Sequence, residues 1–181
     1  MENERSNPTQ VIYSIGHSNL PFERFVDVLK SHGVTTVVDV RSAPYSRFMP
    51  CYNRPELEHA LPAEGLAYRY AGEYLGGRPK DPSLYRDGLI PDERHAYLQN
   101  VNYELLAQTD AVQRGLDRLV QLTVSETVAI MCSEEDPKQC HRHHLIEHAL
   151  ADRATLTHIR TERGHVRDEQ LRDAPMQTRL V

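Results

Sequence analysis

The chain has 181 residues, of which 39% are hydrophobic, 26% charged and 7% aromatic, and this length predicts one globular domain. Its 21 basic and 26 acidic side chains give a net charge of -5, which argues against duplex binding through a broadly basic surface. The first residues are polar and acidic and no apolar run is long enough to span a bilayer, so we expect a cytoplasmic protein without a membrane partner.

Strands and helices are predicted to alternate from the beginning of the chain. The β-branched run Val11–Ile15 predicts a buried strand, and apolar residues at helical spacing over Phe22–Leu29 predict a helix. The apolar run Val34–Val40 predicts a second strand that is buried on both faces. A strand, helix and strand in this order favour two parallel strands joined by a crossover.

The rest of the chain continues this alternation. We predict a helix over 55–63, a strand over 66–70, helices over 92–107 and 111–122, a strand over 127–131, a helix over 137–151 and a strand over 156–159. Segments 41–53 and 72–91 contain the prolines and glycines typical of loops. The fold prediction is a single three-layer α/β domain over residues 11–171, with a mainly parallel sheet of about five strands and helices on both faces. Residues 1–10 and 172–181 are predicted to be flexible ends.

Polar side chains follow three of the predicted strands at their carboxyl ends. The carboxyl ends of parallel strands share one edge of a sheet, and ligands of open α/β sheets usually bind there. We therefore predict a ligand site from the residues Gly16, His17, Ser18, Asp39, Arg41, Cys132 and Glu134.

The segment that follows Cys132 is the richest in reactive side chains. Its predicted helix begins near Pro137, so Cys140, His141 and Arg142 should lie where unpaired N–H groups attract anions and lower thiol pKa values. Arg142 should point inward, where it needs either a carboxylate from the strand ends or a bound anion.

The cysteines also raise the question of a metal. Seven residues separate Cys132 from Cys140, whereas zinc fingers pair cysteines about two to four residues apart. A mixed site with His144 and His148, which are four residues apart, stays open, but we predict neither a metal nor a cofactor. Three cysteines are too few for a secreted disulfide framework, so we expect free thiols.

Four segments occur in a familiar order: Tyr13–Ser18, Val38–Pro44, Tyr74–Gly77, and Cys132-x-Glu134 followed by Cys140–Arg142. In order and spacing they resemble the domain of unknown function 488 family, from about residue 11 to residue 160. The resemblance implies a small cytoplasmic α/β protein and supplies no settled reaction. Position by position, the family pattern marks Gly16, His17, Ser18, Asp39, Arg41, Pro44, Leu75, Gly76, Cys132, Glu134, Cys140, His141 and Arg142.

The first and favoured hypothesis is an enzyme that acts on a small anionic substrate bearing a nucleotide or phosphate group. The anion-binding candidates are Gly16, Ser18, Arg41, Cys140, His141 and Arg142, and the catalytic candidates are His17, Asp39, Cys132 and Glu134. Arginines nearby should keep the carboxylates ionised, which makes His17 the better proton donor. Segment 72–91 would then be a lid.

Two alternatives stay open. Cys132 could be a reactive thiolate with Cys140 as its resolving partner in a redox protein. The chain could also be a non-enzymatic module that binds a ligand or a nucleic acid, in which tyrosines and basic residues between 68 and 86 stack single-stranded bases. The net negative charge disfavours nucleic acid, and the sequence leaves the oligomeric state open.

Overall fold

The computed structural model describes residues 10–150 and 153–171. Apart from Gln10, the predicted flexible ends lie outside the described residues, as does Ala151, the predicted end of the last helix. The carbonyl of Gln10 accepts a hydrogen bond of 2.8 Å from the amide of Thr155.

A single sheet of six strands forms the centre of the described residues, in the order β3-β2-β4-β1-β5-β6. The strands are β1 (Val11–Gly16), β2 (Thr36–Asp39), β3 (Ala67–Tyr70), β4 (Val128–Cys132), β5 (Thr155–Arg160) and β6 (Arg167–Glu169). The first five pair in parallel, which confirms the predicted α/β fold with a mainly parallel sheet. Strand β6 pairs antiparallel with β5 at one edge, and its charged sequence carries no apolar pattern that could have predicted it.

Helices and short helical turns connect these strands. The helices are α1 (Phe22–Ser31), α2 (Arg54–Ala63), α3 (Gly72–Leu75), α4 (Tyr97–Asn100), α5 (Tyr103–Ala107), α6 (Asp110–Leu122) and α7 (His148–Leu150). Short 3₁₀ turns occupy Pro50–Tyr52, Pro82–Leu84, Arg94–Ala96, Pro137–Gln139 and Glu162–Gly164, and a π-helix over Arg142–Glu147 leads into α7. In the described part of the chain, no helix is long and apolar enough to cross a membrane.

Both faces of the sheet are covered. In β4, Val128 and Ile130 pack into a core with α6, whereas Ala129 and Met131 belong to a separate core with α1 and α2. Because alternate side chains of a strand point to opposite faces, these two cores are the two outer interfaces of a three-layer domain. All five residues of β4 are buried, in agreement with its uninterrupted apolar sequence.

Two predicted helices are interrupted in the structure. The predicted helix over 92–107 breaks at Val101, which is buried and forms an isolated antiparallel bridge with Tyr85. Asn102 then caps α5, because its side chain accepts a hydrogen bond from the amide of Leu105. The predicted helix over 137–151 breaks at Cys140, which has an extended backbone between a 3₁₀ turn and the π-helix.

Candidate active site

The carboxyl ends of β1, β2 and β4 lie side by side. The parallel register pairs Gly16 with Cys132 and Asp39 with Met131. Beyond the strands, the amide of His17 donates to the carbonyl of Cys132 at 2.9 Å, and the amide of Ser18 donates to the carbonyl of Ser133 at 2.8 Å. These two amides therefore hold the loop after β4 and do not point to a ligand.

Gly16 allows this loop to approach the end of β1. A Cβ atom on Gly16 would overlap with the backbone carbonyl of Glu134 and lie 2.9 Å from Nη2 of Arg142. Only a residue without a side chain fits between the two segments. Gly16 is thus a packing position at the base of the site.

Arg142 lies beneath the same loop and is completely buried. Its Nε donates to Cys140 Sγ at 3.3 Å, and its Nη1 donates to Ser14 Oγ at 3.0 Å. Its Nη2 donates to the carbonyl of Glu134 and, at 3.4 Å, to that of Glu135. The arginine points inward as predicted, but its partners are backbone carbonyls, a hydroxyl and a sulfur, and it does not line the cavity described below.

Asp39 fixes the position of Arg41. The carboxylate accepts Nε of Arg41 at 2.9 Å on Oδ1 and Nη2 at 2.6 Å on Oδ2, in a buried two-point ion pair. Asp39 also accepts the hydroxyl of Tyr68 at 2.8 Å, and Nη2 of Arg41 donates to the carbonyl of Tyr52 at 2.7 Å. The oxygens of Asp39 are occupied by these donors, so its observed role is to orient Arg41.

His17 stacks on the ring of Tyr52, with the two ring centroids 4.0 Å apart. Burial, followed by the positive charge of Arg41, lowers the pKa of His17 to about 4. The neutral ring donates from Nδ1 to the carbonyl of Ser18 at 2.9 Å and turns Nε2 toward Nη1 of Arg41 at 3.4 Å. This nitrogen carries no proton in that tautomer, so the geometry disfavours the predicted role of His17 as a proton donor.

Cys132, Cys140 and His141 form a buried cluster. Nδ1 of His141 lies 3.7 Å from Sγ of Cys140 and 3.9 Å from Sγ of Cys132, and Sγ of Cys132 lies 3.1 Å from Oε2 of Glu134. On its other side, Nε2 of His141 donates to the carbonyl of Val40 at 3.0 Å. Nδ1 of His141 therefore faces both sulfur atoms.

The pKa values of the two cysteines are shifted in opposite directions. The hydrogen bond to Cys140 raises the pKa of Cys132 well above its usual value, and burial adds to this effect. Burial also opposes ionisation of Cys140, but the hydrogen bond from Cys132 and the charges of Arg142 and His141 outweigh it and lower the pKa of Cys140. The cluster thus favours a thiolate at Cys140 and a thiol at Cys132.

A cavity of about 280 Å³ opens above this cluster. Five of the predicted site residues line it, namely Arg41, Cys132, Glu134, Cys140 and His141. The other five, Gly16, His17, Ser18, Asp39 and Arg142, do not line it. The side chains of His17, Asp39 and Arg142 contact residues that line the cavity. Ser18 lines a different surface cavity together with Glu135 and Arg160.

The remaining wall comes from residues that the sequence did not place at the site. Arg78, Tyr97 and Tyr103 line the cavity, and the guanidinium of Arg78 lies 5.0 Å from the ring centroid of Tyr97. Gly77 packs so closely on His141 that an added Cβ would lie 2.5 Å from Cβ of that histidine. The density of glycines in segment 72–91 was the sequence signal for this close approach.

The tyrosines that were considered for base stacking make contacts within the fold. The hydroxyl of Tyr68 is bound to Asp39, and Tyr85 is buried with its hydroxyl on the carbonyl of Pro79 at 2.6 Å. Tyr70 lies under Arg54, and Tyr74 lies under Arg118. These contacts give each of the four tyrosines a partner within the protein.

Comparison with known proteins gives one match. The family model described as a domain of unknown function, DUF488, matches residues 21–149, which is more than half of the chain. The chain belongs to the DUF488 family. The match contains Asp39, Arg41 and the whole Cys132–Arg142 segment, and it begins after the segment 16–18. No curated protein and no solved structure matches the chain.

Proposed function

We propose that the protein is an enzyme that acts on a small anionic substrate in the cavity at the carboxyl edge of the sheet. One observation carries this proposal: a cation held in a fixed position shares the cavity with sulfur, imidazole and carboxylate groups. Sites that combine a bound anion with such groups are typical of enzymes rather than of simple binding modules.

Arg41 is the group on which anion binding depends. Its Nε and Nη2 are committed to Asp39 and to the carbonyl of Tyr52. Among the described residues, Nη1 makes only a long contact, of 3.4 Å, with Nε2 of His17. Nη1 can therefore donate to an oxygen of a phosphate or carboxylate without breaking the ion pair that holds it.

The other walls favour a small, partly aromatic substrate. A volume of about 280 Å³ lies at the lower end of ligand cavities and fits a molecule no larger than a nucleoside monophosphate. Arg78 supplies a second cation, and Tyr97 and Tyr103 supply aromatic surface. We therefore name small phosphate esters, including nucleoside monophosphates, as the substrate class.

The reacting groups are assigned to cavity residues other than Arg41. Glu134 lines the cavity and accepts a hydrogen bond of 3.1 Å from Cys132, so it is placed to take and return a proton there. We assign the acid–base role to Glu134 and the reactive role to the Cys132, Cys140 and His141 cluster.

Binding of inorganic phosphate and of adenosine monophosphate, measured by isothermal titration calorimetry, tests the anion site. We expect Arg41→Gln to weaken binding at least tenfold, and Arg24→Gln, an exposed arginine on α1, to leave it unchanged. Arg78→Gln is the second variant if Arg41→Gln does not fold, because Arg78 has no part in the buried ion pair. Equal affinity in all three variants would rule out this site.

Turnover is tested with a panel of phosphate esters and detection of released phosphate. Glu134→Gln should bind the anionic probes as well as the unaltered protein does, since it is not an anion-binding group. It should lose most of any turnover that the panel reveals. Unchanged turnover would remove the carboxylate from the mechanism.

A second candidate function, thiol-based redox chemistry, is favoured by the two sulfur atoms. The sulfur atoms of Cys132 and Cys140 lie within 4.8 Å of each other. The raised pKa of Cys132 favours a thiol there, and the lowered pKa of Cys140 favours a thiolate. Reaction with oxidised glutathione would remove two electrons and two protons from the pair and yield a disulfide and two molecules of reduced glutathione. Mass spectrometry of the intact protein would reveal the loss of two hydrogens, and an unchanged mass would refute this candidate.

A further inference from the structure

We propose that Cys132, Cys140 and His141 bind one zinc ion, with a fourth coordination position open to the cavity. This site goes beyond the proposed function, because it rests on the geometry of three side chains and not on the identity of the substrate. It also departs from the prediction of no metal that was made from the sequence, where the spacing of Cys132 and Cys140 is unlike that of a zinc finger.

The three donor atoms already have distances close to those of a zinc site. Tetrahedral zinc, with bonds of about 2.3 Å to sulfur and about 2.0 Å to nitrogen, separates a sulfur from a nitrogen ligand by about 3.5 Å. Nδ1 of His141 lies 3.7 Å from Cys140 Sγ and 3.9 Å from Cys132 Sγ, and all three donor atoms lie within 4.8 Å of one another. Only small side-chain movements are needed to close the site around a metal.

The orientation of His141 is the one required of a metal ligand. A histidine that binds a metal through one nitrogen usually donates the other N–H to a backbone carbonyl or a carboxylate. Nε2 of His141 donates to the carbonyl of Val40 at 3.0 Å, which leaves Nδ1 directed at the sulfur atoms. Nδ1 has only the two sulfur atoms as partners among the described residues.

The charges around the cluster also suit a divalent cation. Zn²⁺ with two thiolates and a neutral imidazole is electrically neutral, and Arg142 and Glu134 next to the sulfurs balance each other. Arg142 donates to Cys140 Sγ at 3.3 Å, and this charged donor stabilises a thiolate at that ligand position. A buried site of this kind therefore leaves no unpaired charge.

The backbone explains how a spacing unlike that of a zinc finger can supply adjacent ligands. Cys140 is extended, and His141 next to it is helical, so two consecutive side chains turn toward Cys132 at the end of β4. A second group, His143, Glu147 and His158, also brings three potential ligands together. Its donor atoms are only 2.6 and 3.1 Å apart, at hydrogen-bond rather than metal–ligand geometry.

Three protein ligands beside a cavity are typical of catalytic rather than structural zinc, which is usually closed by four protein ligands. A metal at this point would add a positive charge to the cavity that Arg41 also lines. It would hold water or a substrate oxygen at the open position and lower the pKa of that water.

Cobalt substitution tests the site on the complete chain. The reduced protein is stripped with a chelator and titrated with Co²⁺, whose thiolate complexes show a near-ultraviolet charge-transfer band and whose tetrahedral complexes show strong visible bands. Metal content is measured in parallel after addition of Zn²⁺. We expect one ion per chain with both spectral features.

Matched variants locate the metal. Cys132→Ser, Cys140→Ser and His141→Gln should each weaken metal binding at least about 100-fold, because each removes one of three ligands. Cys51→Ser, a half-buried cysteine that does not line the cavity, should bind as tightly as the unaltered chain. Affinity that survives Cys140→Ser would place the metal elsewhere and overturn the proposal.

The unaltered chain decides the question if the variants do not fold. A cobalt complex of that chain without the thiolate band, or no bound metal at all, refutes the site. Phosphate titrations of the stripped and the metal-loaded protein keep the two proposals apart. Metal binding without anion binding would refute the proposed substrate class alone, and anion binding without metal binding would refute the zinc site alone.

Discussion

Gly16→Ala is the change that most directly tests how the site is assembled. The new methyl group would overlap with the carbonyl of Glu134, which belongs to the loop after β4, and would lie 2.9 Å from Nη2 of Arg142. Gly16 has ordinary strand backbone in β1, so the cost of the substitution is steric and not conformational.

The expected cost has two parts. Overpacking a buried position costs about 1–3 kcal/mol. Moving the loop aside also breaks the hydrogen bond from Arg142 to the carbonyl of Glu134, and a bond from a charged donor contributes about 1.5–3 kcal/mol. We therefore expect the free energy of unfolding to fall by about 2.5–6 kcal/mol, which is a large part of the stability of a typical domain.

Urea unfolding, followed by circular dichroism, measures this loss. Gly33→Ala is the matched control, because Gly33 has a φ of +67° and no atom within 4 Å of an added Cβ. Its cost is conformational and should be about 1–2 kcal/mol. If Gly16→Ala destabilises the protein no more than Gly33→Ala does, the close packing of the loop against β1 does not hold the site together.

Three further predictions concern buried ionisable side chains. Asp39→Asn leaves Arg41 without its buried partner and should lower the free energy of unfolding, measured in urea, by about 3–5 kcal/mol. Glu64→Gln, which removes an exposed ion pair, should lower it by less than about 1 kcal/mol. Equal losses in the two variants would contradict this prediction. The pKa of His17 falls from 6.5 to about 4 on folding, so its stabilisation is complete above pH 6.5. About 3 kcal/mol should be lost as the pH falls toward 4, and His17→Gln should lack this part of the pH profile. Arg142→Lys keeps the positive charge, but lysine cannot donate to Cys140, Ser14 and two backbone carbonyls at once, so the midpoint of unfolding should drop clearly. An unchanged midpoint would show that these hydrogen bonds do not stabilise the fold.

The hydrophobic pattern was sufficient to predict most of the sheet. Strands β1, β2, β4 and β5 have β-branched or apolar runs, and their burial in the middle of the sheet is the physical origin of those runs. Strand β6 lies at the edge of the sheet, where it pairs only with β5 and its side chains are largely exposed, so it does not need an apolar sequence. The break at Val101 depends on a bridge to Tyr85, a contact between distant residues that local periodicity does not encode.

By itself, the sequence determined that the residues following β1, β2 and β4 lie at one edge of the sheet, because the carboxyl ends of parallel strands share that edge. It could not determine which of those side chains remain free, since that depends on hydrogen bonds between segments far apart in the chain. Tertiary structure alone decided that Asp39 and Arg142 serve as internal supports, and that Arg78 and Tyr103 complete the cavity wall. It also turned His141 between two sulfur atoms, an arrangement set by the extended backbone at Cys140 and by the carbonyl of Val40.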